Sequence, residues 1–302
     1  RAKGDFTVEA KEFPAAQNQP SEGGGGGPCR SRWSSVARRM GPHWAWRSVE
    51  FSGFNRAMKV LGIDIGGSAI KGAPVETKTG RLLAERHRIA MPELLTPAEM
   101  GKAAAEIAAH FRWKGPIGFG FPGVTQGTRI FTSANLHPRF IGLDGGKLFA
   151  KATGLPVAVT NDAAAAAMAE MKFGAGRNFP GKVLLLTLGT GVGSALAYDG
   201  AVVPLELGHF PWKGGEAEKY LSAAVRDDKD LSWEEWGDRL KDFVATLERI
   251  MWPELIIVGG GVSAKHRKFF KFIKPRARLA PAEFLNQAGI VGAALWAEAH
   301  AK

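Results

Sequence analysis

Asp162 follows Asn161 at the end of the apolar run Leu155–Thr160. A carboxylate beside an amide at the carboxyl end of a buried strand, where open α/β sheets bind ligands, is placed to take a proton from a hydroxyl that the amide holds. Spacing alone leaves a second use open, because Asn-Asp is also a good start signal for the helix expected over Ala163–Lys172. Glu206 and His209 stand three apart across Leu207-Gly208. Carboxylate and imidazole suit vicinal hydroxyls, one accepting and the other accepting or donating, although a histidine taken alone is more often an ordinary surface or core residue. Asp64 ends a third apolar run beside Gly66, Gly67 and Ser68. There it is placed to hold Mg²⁺ through water while the backbone and Lys71 face phosphate oxygens, against the plainer reading of a turn aspartate.

The elements that must position these groups come in two similar sets. Val60–Val75 reads VLGIDIGGSAIKGAPV and Leu184–Ala197 reads LLLTLGTGVGSALA, with Asp64 and Thr187, Gly66 and Gly189, and Gly67 and Thr190 in matching places. Each copy is an apolar run, a turn of small residues and a second apolar run, the signal of a β-hairpin. Glycines let backbone N–H groups crowd around an anion, so each turn is a candidate phosphate cradle, the second formed by Thr187, Gly189, Thr190, Gly191 and Gly193. The first lacks P-loop spacing and is followed by a strand instead of a helix. Further strands are expected at Leu82–Arg88, Ile117–Phe121 and Leu255–Val258. Helices are expected at Thr96–Phe111, with Thr96 as N-cap and Pro97 at the first position, at Ser232–Met251, with Ser232 and Glu235 forming a capping box, and at Asn286–Ala301.

Composition bounds the rest. The chain has 302 residues, 45% of them hydrophobic, which suits one large or two medium domains. No apolar run approaches the ~20 residues of a membrane helix, and no signal-peptide pattern is present, so the cytoplasm is the default. The one cysteine, Cys29, builds neither a disulfide framework nor a cysteine zinc site. Net charge is +11; the first 57 residues carry nine basic against five acidic side chains and the remainder 31 against 24, so most of the excess belongs to the patterned part. Such a balance admits nucleic acid, an acidic surface or a phosphate-rich substrate. Residues 1–57 lack sustained periodicity and contain Gly23–Gly27, and read as a disordered extension or as sequence upstream of a start at Met58. A basic helix is expected near Ser263, with Lys265, Arg267, Lys268, Lys271, Lys274, Arg276 and Arg278 in fourteen residues. It is either a solvated face or a track for a linear polyanion, with Lys172, Arg177 and Lys182 as rival candidates.

This organisation resembles the sugar kinase, actin and heat-shock chaperone ATPase superfamily. More specifically it resembles the ROK family (repressors, open reading frames, kinases) through DIGGSAIKG, Pro122-Gly123, Asn161-Asp162 and Glu206-Leu-Gly-His209. Within that family it looks like the polyphosphate glucokinases, through LLLTLGTGVGSAL, ELGHFPWKGGEAE, Trp252-Pro253-Glu254-Leu255, GGGVS and NQAGIVGAALW; the similarity covers about residues 58–298. The resemblance implies an α/β fold of two duplicated αβ domains, ribonuclease H-like, around a central cleft. The domains would be residues 58–162 and 163–285, with 286–302 a helix packing back on the first. It implies phosphoryl transfer from polyphosphate, ATP or both to the 6-hydroxyl of glucose, with Mg²⁺, Asp162 as base, and Asn161, Glu206 and His209 on the sugar. Glu218 and, more weakly, Asn135 join the sugar contacts by resemblance alone. Gly259, Gly260, Gly261 and Ser263 resemble the family's adenosine-binding turn, the bland reading being a strand-to-helix joint. Many ROK proteins carry a cysteine-rich zinc loop after the Gly-His pair; Lys213–Glu218 has no cysteine, which implies a sugar-contacting His209 without zinc. A homodimer is implied, with neither nucleic acid nor membrane as partner. The alternatives are an ATP-dependent ROK kinase for mannose or N-acetylglucosamine, a ROK-type sugar-responsive repressor, and an actin-like or chaperone-like ATPase.

Overall fold

The computed structural model describes residues 58–91, 95–133 and 136–301. Strand β1 (Lys59–Ile65) turns directly into β2 (Ala69–Glu76), and the two pair antiparallel with Asp64 opposite Lys71. β3 (Arg81–Leu82) and β4 (His87–Ala90) both pair with β2. On the other side of β1 lie β5 (Ile117–Phe121) and β8 (Val157–Asn161), both parallel to it in direction. Between them β6 (Thr125–Gln126) and β7 (Arg129–Ile130) form a small separate hairpin. The second sheet repeats the plan. β9 (Val183–Leu188) turns into β10 (Val192–Tyr198) and β11 (Ala201–Leu205), while β14 (Leu255–Gly259) and β15 (Arg278–Pro281) run parallel on the far side. A two-stranded ribbon, β12 (Pro211–Trp212) with β13 (Gly215–Glu216), stands apart. β1, β5, β9 and β14 are buried on both faces, which is why they read as continuous apolar runs.

The outer face of each sheet is covered by helices with long-period apolar stripes. α1 (Pro97–His110) sets Met100, Ala104 and Ile107 on the first sheet, beside α2 (Gly145–Thr153). α6 (Trp233–Met251) sets Trp236, Leu240, Phe243 and Leu247 on the second, preceded by the short α4 (Glu218–Leu221) and α5 (Ala223–Asp228). Thr96 with Glu99 and Ser232 with Glu235 close the capping boxes of α1 and α6.

The space between the sheets holds two alanine-rich helices, α3 (Asp162–Phe173) and α7 (Ala288–His300). α3 continues from the first sheet and packs against β10 of the second; α7 follows the second sheet and lies on β1 and β5 of the first. The close approach depends on missing side chains. A Cβ on Gly62 or Gly118 would run into the backbone carbonyls of Ile290 or Ala293, and one on Gly292 into that of Ala165.

Three expectations are corrected. The strand expected over Leu82–Arg88 is two short strands, because Pro74 in the middle of β2 has no N–H to offer a continuous ladder. The basic helix is two 3₁₀ segments, Gly261–Lys268, kinked at Lys265, and Phe270–Phe272. Its first half has no apolar stripe to hold a regular helix on the core, and the chain bends to bury Phe269 and Ile273. The last helix starts at Ala288, after a 3₁₀ turn over Leu285–Gln287.

Candidate functional site

A cleft of about 390 Å³ opens between the two hairpins. Asp64, Gly66, Gly67, Ser68 and Lys71 line it from β1–β2, and Thr187, Gly189, Thr190, Gly191 and Gly193 from β9–β10. The two turns face one another: a Cβ placed on Gly67 would stand 3.5 Å from Thr190 Oγ1. Each turn is closed by its own backbone, Gly66 N donating to Ala69 O at 3.0 Å and Gly189 N to Gly191 O at 3.0 Å.

Asp162 and Asp64 stand on either side of Gly120 in β5. A Cβ there would lie 3.5 Å from Asp162 Cα and 3.7 Å from Asp64 Oδ1. The cap and the cleft-facing acid prove to be different residues. Asn161 Oδ1 accepts from Ala164 N at 2.9 Å and caps α3, while its Nδ2 donates to Gly123 O at 3.2 Å. The amide keeps one proton and one lone pair for a ligand. Asp162 occupies the first helical position, with Oδ1 accepting from Ala163 N at 2.7 Å. A helix N-terminus favours a carboxylate by about 0.3–1 kcal/mol. Burial works the other way and prevails: with the negative fields of Asp64 and Glu206 added, it lifts the Asp162 carboxyl to about 7. Asp64 is also raised, by burial, with Lys71 partly offsetting it. Gly289 at the start of α7 is pressed against the Asp64 carboxylate, where a Cβ would lie 2.6 Å from Cγ.

Glu206, His209 and Glu218 also line the cleft. Gly208 permits this, since a Cβ there would meet the Val192 carbonyl and stand 3.6 Å from Glu218 Cβ. His209 Nδ1 lies 3.2 Å from Glu216 Oε1, and Nε2 lies 3.9 Å from Glu206 Oε2. Donor atoms of His209, Glu216 and Glu218 come within 4.8 Å of one another, a set that could hold hydroxyls or a cation. Gly259, Gly260 and Gly261 line the wall as well. Gly260 has φ +81°, and Ser263 lies behind it, buried, its Oγ donating to Gly260 O at 2.7 Å. Asn135 lies outside the described residues.

Two residues escaped the sequence reading. Glu216 sits beside His209 where a cysteine loop was noted to be missing. Glu170, fully buried in α3, accepts from the backbone N–H of Ala175 (3.0 Å), Glu283 (3.1 Å) and Phe284 (2.8 Å), and so ties α3 to the loop that carries Leu285 and Asn286 into the cleft. An acid in the middle of an otherwise alanine-rich stretch was the available signal.

The carboxylates of Asp64 and Asp162, backed by exposed turn amides, are the hard oxygen donors that magnesium takes, and their mutual repulsion is what a cation would relieve. The residues present fit that ion.

Two mixed sheets on one plan, with crossed helices between them and a cleft across the hairpins, define the two-domain actin-like ATPase fold of sugar kinases. The chain belongs to the ROK family, whose profile matches residues 60–216. It is 39% identical over 237 residues to a polyphosphate glucokinase of Mycobacterium tuberculosis, covering 78% of this chain and 89% of that protein. The inorganic polyphosphate/ATP-glucomannokinase of Arthrobacter sp. strain KM is 40% identical and superposes with TM-score 0.78 over 80% of this chain and 99% of that one. A ROK family glucokinase from Streptomyces griseus, solved with glucose and AMPPNP, shares the fold at 23% identity and TM-score 0.68, over 80% of this chain and all of its own. Among the described residues no helix is long and apolar enough to cross a membrane.

Proposed function

We propose that this chain is a glucokinase that moves the terminal phosphoryl group of inorganic polyphosphate or ATP to the 6-hydroxyl of glucose. The carrying observation is Asp162, a carboxyl lifted to about 7 at the place where two facing anion cradles meet. A base of that strength is deprotonated over part of the neutral range and still accepts a proton readily. Asn161, Glu206, His209 and Glu218, with Asn135, hold the sugar ring and orient O6. Asp162 then takes the O6 proton as O6 attacks the terminal phosphorus, and the bridging oxygen leaves on ADP or on a polyphosphate one unit shorter. Gly66, Gly67, Ser68 and Lys71 grip the donor from one side and Thr187 through Gly193 from the other, while Gly259–Gly261, braced by Ser263, pass beneath the base of ATP. Asp64 would hold Mg²⁺ through water; when bound, the ion neutralises charge on the transferring group. Positioning and fixed charge supply most of the rate.

In this reading residues 58–162 and 163–285 form the two domains and 286–302 the returning helix. The enzyme is a cytoplasmic homodimer that uses no zinc. Mannose is a second acceptor to consider, because the Arthrobacter protein at 40% identity is a glucomannokinase.

The test is formation of sugar 6-phosphate by purified protein, with glucose and mannose each offered ATP and long-chain polyphosphate. Glucose-dependent turnover with at least one donor is expected. No phosphorylation of any hexose would overturn the proposal.

A further inference from the structure

The basic run of the sequence does not form one face. Arg276 is turned toward α6, its guanidinium 4.3 Å from the Trp252 ring and hydrogen-bonded to Pro253 O, and Lys271 lies over Phe272 at 4.8 Å. Two of the rival lysines are engaged elsewhere: Lys172 Nζ donates to Thr77 O at 3.2 Å and Lys182 Nζ to Met251 O at 2.9 Å.

Two members of the run, Lys265 and Lys268, instead converge with Arg226 on Trp233, the first residue of α6. The Arg226 guanidinium stacks 3.8 Å from the indole centroid, with Lys268 Nζ at 5.5 Å and Lys265 Nζ at 6.0 Å. Phe269 lies parallel to the same indole at 6.0 Å and helps fix it. Arg226 is paired with Asp227, whereas neither lysine makes an ion pair among the described residues. Three cations held around one ring repel one another, a cost that an anion seated among them removes.

Two short links tie this cluster to the cleft. Gly261, in the cleft wall, is the first residue of the 3₁₀ segment that carries Lys265 and Lys268. Ala224, two residues before Arg226, donates to Gly189 O of the second cradle at 3.1 Å. Along those two links, an anion chain too long for the cleft would reach Arg226, Lys265 and Lys268 on leaving it past Gly189–Gly191 and Gly261.

Resting on the kinase reading above, we infer that Arg226, Lys265 and Lys268 around Trp233 form an exit track for the distal phosphates of inorganic polyphosphate. ATP, whose chain ends in a nucleoside at the Gly259–Gly261 wall, does not use it. Neither does tripolyphosphate, which is no longer than the triphosphate of ATP. The track thus discriminates donors by length.

The experiment is steady-state kinetics with glucose for wild type, Lys265→Glu/Lys268→Glu, and Lys274→Glu, an exposed control further along the chain. ATP, tripolyphosphate and long-chain polyphosphate are compared between about 50 and 200 mM salt. For the double variant, the KM for long-chain polyphosphate should rise about tenfold or more at low salt, and the slope of log KM against log salt should fall by about 1 to 1.5, as expected for two lost phosphate contacts. KM for ATP and tripolyphosphate should stay within about twofold, which also shows the fold intact, and the control should match wild type. Equal increases for every donor, or a double variant whose KM for long-chain polyphosphate matches that of a wild type that uses it, would overturn the track and leave the kinase reading standing. A wild type that phosphorylates glucose from ATP but never from polyphosphate would remove the track together with that donor, and one inactive with both would remove the kinase reading itself.

Discussion

The two hairpins share a backbone plan and differ in what they carry. In β1–β2 the register sets Asp64 against Lys71, a charged pair at the cleft floor. In β9–β10 the equivalent pair is Thr187 and Gly193, a hydroxyl packed over a position where no side chain fits. Both turns offer small residues and backbone amides, but only the first hairpin itself carries formal charge, through Asp64 and Lys71; the charged groups of the second half, Glu206 and Glu218, reach the cleft from segments that follow its hairpin. Duplication gives the cleft two turns of small residues; in the proposed reaction proton transfer and metal holding fall beside the charged first hairpin, and the second contributes a neutral hydroxyl and backbone.

The largest expected effect falls on the charged side. Asp162→Asn should lower kcat by about 10²–10⁴-fold while glucose binding, measured by calorimetry, stays near normal. Asp64→Asn should cost about 10²–10³-fold in kcat, whereas Thr187→Val, its counterpart in the other hairpin, should cost about tenfold or less, the worth of one neutral hydrogen bond. Equal losses at Asp64 and Thr187 would break the contrast between the halves.

Titration sharpens the same contrast. The proposed reaction needs the ionised form of Asp162, so kcat/KM should rise with pH through about 7. Asp64→Asn removes a negative neighbour and should move that limb to lower pH, while Thr187→Val should leave it in place. Stability should run the opposite way. The folded-state value of about 7 lies above the ordinary 3.8, so the fold holds this proton more tightly than the unfolded chain does. The contribution of Asp162 to stability is therefore whole below about 3.8, is lost as pH rises toward 7, and is absent above it. Asp162→Asn should accordingly raise Tm relative to wild type near pH 8 and not near pH 4. The smallest effects lie far from the cleft, where the halves should behave alike: Thr96→Ala and Ser232→Ala, the caps of α1 and α6, should each cost about 1 kcal/mol in denaturant unfolding with kcat unchanged.

What could be read from the residues was local. Both hairpins, the Asn161-Asp162 junction, the Thr96 cap and the Ser232–Glu235 capping box are short-range patterns that stand whatever packs around them. The close packing of α7 on the first sheet and on α3 was not legible as geometry, because it depends on Gly62, Gly118 and Gly292 meeting backbone from distant parts of the chain, and an isolated glycine carries no sign of its partner. The basic run misled for a related reason. Charge spacing suggested one helical face, but Phe269 and Ile273 had to reach the core, and their burial broke the helix. Glu170 stayed hidden because its partners are the main-chain amides of Glu283 and Phe284, more than a hundred residues away. The double role of Asn161-Asp162, open on spacing alone, is resolved by structure into a capping amide and a cleft-facing acid.

The central claim is that Asp162 receives the proton of a sugar hydroxyl held between two donor-gripping turns. A crystal structure with glucose and a non-hydrolysable ATP analogue tests it most directly. The expected result is O6 within about 2.6–3.2 Å of an Asp162 carboxylate oxygen, with the terminal phosphates between Gly67 and Thr190. A hexose whose O6 points away from Asp162, or phosphates bound outside that gap, would contradict it.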